Sequence, residues 1–120
     1  MPIARDQPNP EKHTIAGVEL PRRLTVSDLF MMADGANIPP NMIDPLVRYV
    51  VDHRRPGHFL TALLENDFRE ACNRADDVNR EALYRYAYFL TNYAPAACWG
   101  SKKNVDAWLE LGRLARSQKV

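Results

Sequence analysis

The chain is poor in cysteine, in glycine and in net charge. Its 120 residues include 2 cysteines and 5 glycines, and its formal net charge is +1. Two cysteines cannot make a disulfide-rich scaffold, and a chain of this length can bury an apolar core without such crosslinks. A net charge near zero creates no strong global field toward nucleic acid or an anionic membrane. We therefore expect an ordinary globular protein held together by apolar packing.

Long apolar runs are also missing. No run approaches the length of a membrane span, and the N-terminal stretch MPIARDQPNPEKH lacks the apolar segment of a signal peptide. We expect a cytoplasmic protein that has no membrane partner. In that reducing compartment Cys72 and Cys98 should be free thiols that are at least partly buried.

The common catalytic and metal-binding motifs are absent from the sequence. There is no glycine-rich nucleotide loop, no G-x-S-x-G and no H-E-x-x-H. The histidines and cysteines lack the paired spacing of metal ligands. The polar pairs Asn66/Asp67 and Asp76/Asp77 stand where helices are predicted to begin, so capping accounts for them. We expect no enzyme activity, no cofactor and no metal ion.

The segment YAPAACWGSKK places a cysteine in surroundings that suggest a thiol nucleophile. A reactive thiol needs a base, a cation or a helix N-terminus close by. Cys98 lies three residues before the predicted cap Ser101, and no histidine follows His58. We interpret Cys98 and Trp99 as core residues beneath a turn that Gly100 permits.

Hydrophobic residues make up 46% of the chain and charged residues 26%, the composition of a soluble globular domain. Residues 1–24 form a proline-rich arm, which we expect to be partly disordered or to contain a short strand in HTIAGVEL (13–20). Residues 25–116 carry helical signals throughout. The sequence predicts an all-α, single-domain orthogonal bundle of five or six short helices with an extended N-terminal arm.

Capping and stop signals set the expected helix boundaries. The predicted helices run from Thr25 to Gly35, from Asn41 or Asp44 to the break at RRPG, through HFLTALLEN, from Asn66 or Asp67, over about 77–93, and from Ser101 onward. The fourth helix should turn Phe68 and Ala71 inward, and the long fifth helix should do the same with Val78 and Tyr86.

Aromatic and arginine side chains supply the candidate interface. Tyr84, Tyr86 and Tyr88 alternate along one helix and cannot all face one core, so Tyr84 and Tyr88 should form an exposed stripe beside Arg85. Tyrosine and arginine are enriched at binding hot spots. The alternative is that this helix is packed on two sides. The predicted partner-binding residues are Arg54, Arg55, Arg74, Arg80, Tyr84, Arg85 and Tyr88.

Four of these arginines also allow a nucleic-acid interface. Such a regulator would use Arg54, Arg55, Arg74 and Arg80, with the third and fourth helices arranged as a helix-turn-helix. Acidic residues interleave with these arginines, however, and mixed charge at helical spacing is typical of a solvated face. Nucleic acid is therefore the weaker of the two alternatives for a partner.

Several separated motifs resemble a family of small proteins encoded by bacteriophages and prophages. The matching pieces are PGHFLTALLEND, RADDVN, CWGS and VDAWL, in that order, within about residues 46–111. The resemblance implies a phage accessory protein in the bacterial cytoplasm that binds a host or phage protein. The most specific function that the resemblance implies is inhibition of a host defence system. The resemblance carries over no functional residues.

A homodimer is a further expectation, in which the strand HTIAGVEL of the N-terminal arm packs on a second copy of the chain.

Overall fold

Two paired strands and seven α-helices make up the described part of the chain. The computed structural model describes the backbone of residues 12–15 and 18–21, and all of residues 25–118. Strands β1 (Lys12–Ile15) and β2 (Val18–Pro21) form an antiparallel hairpin, in which Lys12 lies opposite Pro21. The predicted single extended piece is thus two short strands that pair with each other, which satisfies backbone groups that a lone strand leaves open. The disorder expected before residue 12 lies outside the described residues.

Residues 25–118 are mainly helical, and the all-α bundle predicted from the sequence is confirmed. The helices are α1 (Val26–Gly35), α2 (Pro40–Asp52), α3 (His58–Leu64), α4 (Phe68–Arg74), α5 (Asp77–Glu81), α6 (Leu83–Tyr93) and α7 (Lys102–Ser117). A short 3-10 turn, Ala96–Cys98, connects α6 to α7. α1 packs on α2 and α6, α3 packs on α4 and α7, and β1 lies against α7.

The seven described helices exceed the predicted five or six because the long helix expected over 77–93 is interrupted. Ala82 has φ −101° and ψ 6°, and its N–H donates to the carbonyl of Asn79. Alanine has the highest helix propensity of all residues, so propensity does not cause this break. Ala82 is fully buried. We attribute the interruption to the tertiary packing around this buried side chain.

Side-chain caps begin four of the helices where the sequence predicts them. In each case the cap oxygen accepts a hydrogen bond from the N–H three residues later; the caps are Thr25, Asp67, Asp76 and Ser101. The cap expected at Asn41 or Asp44 is wrong. α2 begins at Pro40 after Pro39, with no side-chain cap. Proline suits this first position because it has no N–H to leave unpaired.

The core joins α2 to the segment around α7 through buried hydrogen bonds as well as apolar contact. Tyr49, which is fully buried, donates from its hydroxyl to the carbonyl of Cys98 at 2.6 Å. Trp108 donates from Nε1 to the carbonyl of Tyr49 at 2.9 Å. Since both bonds are buried, losing either would leave a polar group without water or a partner. They fix the position of the turn that precedes α7.

The end of α2 packs against α7 with little space to spare. His53 ends α2 in the left-handed conformation, with φ 58°, and its ring stacks on Trp108 at 4.3 Å between centroids. Its Nδ1 lies 2.9 Å from the carbonyl oxygen of Trp108. A Cβ at Gly112 would overlap the Cβ of His53 and lie 3.0 Å from its carbonyl oxygen. Gly112 is therefore what allows α7 to approach the end of α2.

Candidate binding groove

The CWGS segment does not carry a reactive thiol. Cys98 is fully buried, and this burial raises the pKa of its thiol to about 12. The thiolate is the nucleophilic form, so Cys98 is unsuited to covalent catalysis at neutral pH. The prediction that Cys98 belongs to the core is confirmed. Gly100 makes the turn, with φ 106°, and its N–H donates to the carbonyl of Leu64 at 2.7 Å.

The acidic residues considered as possible catalysts have local structural roles. Asp67 and Asp76 cap α4 and α5, and Asp77 pairs with Arg80 at 2.8 Å. Between residues 25 and 118, no three side chains of the metal-binding types gather into a group that could hold an ion.

An apolar groove of about 390 Å³ opens between α3–α4 on one side and α6 on the other. Its lining consists of aliphatic and aromatic side chains with a single amide; the residues are Leu63, Asn66, Phe68, Ala71, Leu83, Tyr84, Ala87, Leu90 and Trp99. This volume lies within the range of small-molecule and peptide-anchor pockets.

Local sequence explains why the groove is open. Asp67 caps α4, so the helix begins at Phe68 and places its ring in the first turn. That ring is 73% exposed. Ala71 and Ala87 contribute only a methyl group each to the lining and leave the space between α4 and α6 unfilled. Trp99, just before the turn at Gly100, closes one part of the wall.

The exposure of Phe68 contradicts the prediction that it faces the core. Phe68 keeps helical spacing with Ala71, which is buried, but at the first turn of α4 its ring remains largely exposed. Val78 was also expected inward and is 62% exposed, because α5 is only five residues long and its buried residue is Asn79. The hydroxyl of Tyr86 donates to the Asn79 side chain at 2.6 Å, which holds α5 against α6.

Tyr84, which lines the groove, forms an ordered pair with the neighbouring Arg85. Tyr84 is 68% exposed, and Nε of Arg85 donates to its hydroxyl at 3.1 Å. The guanidinium carbon of Arg85 lies 5.4 Å from the centroid of the Tyr84 ring, within cation–π range. Nη1 of Arg85 also donates to the carbonyl of Asn37 at 3.4 Å. These contacts order the Tyr84 side chain, which lines the groove, and the Arg85 side chain, which lies outside the lining.

Among the residues predicted to bind a partner, only Tyr84 and Arg85 are joined by a described contact. Tyr88 is exposed one turn farther along α6, and its ring lies edge-on to Tyr93 at 6.1 Å. Arg74 pairs with a neighbour on its own helix, Glu70, at 2.6 Å.

The other predicted arginines are also separate from the groove lining. Arg80 pairs with Asp77 and donates to the carbonyl of Ala75 at 3.0 Å. Arg54 and Arg55 are exposed in the link between α2 and α3.

The sequence reasoning missed most of the groove. Phe68 was assigned to the core, and the aliphatic lining residues were given no role beyond packing. Trp99 packs against the core as expected, but its contribution to the groove was not predicted. One signal was available: Phe68 directly follows the cap Asp67, so it belongs to the first turn of a short helix. The aliphatic residues carry no signal of their own, since an open apolar wall and a closed core use the same side chains.

No helix in the described ranges is both long enough and apolar enough to cross a membrane. Comparison with known proteins shows no relative: no protein-family model matches the chain, and neither a curated protein nor a solved structure matches it.

Proposed function

We propose that this chain is a phage or prophage accessory protein that acts in the bacterial cytoplasm by binding a host or phage protein through the groove. The observation that carries the proposal is the open apolar groove, with Phe68 and Tyr84 largely exposed along it. The motif resemblance in residues 46–111 supports a phage origin.

A protein partner suits the groove better than a polar metabolite. Asn66 contributes the only side-chain amide of the lining, and no charged side chain lines it. A polar ligand would find few groups to fix its orientation, whereas apolar side chains of a protein would gain free energy on leaving water.

The aromatic residues of the groove also favour a protein partner. Tryptophan, tyrosine and arginine dominate the free energy of many protein interfaces. The groove presents Trp99 and Tyr84, with Arg85 held against Tyr84. Because the Tyr84 side chain is already ordered by Arg85, little of its conformational entropy is lost when a partner binds. In its most specific form, this binding inhibits a host defence protein, an effect that needs no catalytic group.

The alternative of a nucleic-acid-associated regulator receives less support from the surface. Arg74 and Arg80 are engaged in ion pairs with neighbouring acids. This leaves Arg54 and Arg55 as the exposed arginines of the predicted interface that pair with no acid in residues 25–118. A DNA or RNA mobility-shift experiment at low salt tests this function, and binding that weakens steeply with added salt would favour it.

Affinity purification from infected or lysogenic host cells tests the protein-binding function. Three baits are compared: the natural chain, Phe68→Asp in the groove, and Met31→Asp on α1. Met31 is 72% exposed and lies outside the groove lining, so it is a matched control for Phe68. We expect a protein partner that the natural chain and Met31→Asp retain and that Phe68→Asp loses. A partner retained equally by all three baits, or the absence of any partner, would contradict the proposal.

A further inference from the structure

We draw no further inference here: the strongest candidate, the apolar groove between α3–α4 and α6, carries none beyond the proposed function, because nothing in the structure shows what covers it.

Discussion

At the scale of single residues, burial determines the reactivity of the Cys98 thiol. Its sequence neighbours suggest a nucleophile, but full burial raises its pKa to about 12 and keeps the thiol protonated. Cys72, on α4, is only partly buried. The two thiols of the same chain should therefore differ in reactivity for a reason visible only in the folded state.

A thiol-modifying reagent tests this difference. At about pH 8 we expect Cys72 to react in the native protein and Cys98 to react only after denaturant is added, because Cys98 lacks both solvent access and thiolate character. Mass spectrometry of proteolytic fragments identifies the modified residue. Equal native reaction rates at the two positions would show that Cys98 is not buried as described.

The hydroxyl of Tyr49 should contribute measurably to the free energy of unfolding. Tyr49→Phe removes the 2.6 Å hydrogen bond to the Cys98 carbonyl and leaves that buried oxygen unpaired. We expect the free energy of unfolding to fall by about 1–3 kcal/mol in denaturant titrations. Tyr88→Phe is the control, because Tyr88 is exposed, and should change the value by less than about 0.5 kcal/mol. Similar losses in both variants would argue against a special role for the buried bond.

At the scale of whole elements, the contact between α2 and α7 depends on the lack of a side chain at Gly112. Gly112 lies in the interior of α7, where glycine is normally unfavourable compared with alanine. It is tolerated because His53 occupies the space that a Cβ would need. Helix propensity and tertiary packing thus make opposite demands at this position, and packing prevails.

Gly112→Ala should destabilise the protein although it raises helix propensity. We expect a loss of about 1–3 kcal/mol in the free energy of unfolding, because α7 must move away from His53. Gly35→Ala is the matched control: it lies in α1 and a Cβ there meets no atom within 4 Å. That control should be neutral or slightly stabilising. Stabilisation by Gly112→Ala would contradict the described packing.

On the scale of the whole molecule, three buried acidic protons link stability to pH. Burial raises the pKa of Tyr49 and of Tyr86 above the ordinary value of 10.0, and that of Cys98 above 9.0. The unfolded chain therefore loses these protons at lower pH than the folded chain does. Their contribution is fully present below about pH 9 and decreases as the pH rises beyond the ordinary values.

Alkaline titration of stability measures this linkage. We expect the free energy of unfolding to decrease between about pH 9 and pH 12, with the double variant Tyr49→Phe/Tyr86→Phe showing a shallower decrease. Denaturant midpoints followed by circular dichroism supply the values. A natural chain whose pH dependence matched that of the double variant would contradict the assigned burial of these tyrosines.

The groove belongs to the whole molecule rather than to any one element. α4, α6 and the turn before α7 each supply part of it, and none presents an apolar cavity alone. The exposure of Tyr84 was predictable, because Tyr84, Tyr86 and Tyr88 alternate along the helix and cannot all face one core. Phe68 was assigned to the core, since apolar periodicity does not reveal which side of a helix its neighbours leave open. Trp99 does pack against the core, as expected, but its part in the groove wall was not predicted.

The sequence by itself determined the all-α class and most helix starts, as at Thr25 and Ser101. It did so because a cap acts on an N–H only three residues away, and because apolar spacing reports one helix face at a time. Only the tertiary structure decided that α5 and α6 separate at Ala82 and that Phe68 is left uncovered beside the groove. Both outcomes depend on which distant elements pack together, and that depends on contacts between residues far apart in the chain.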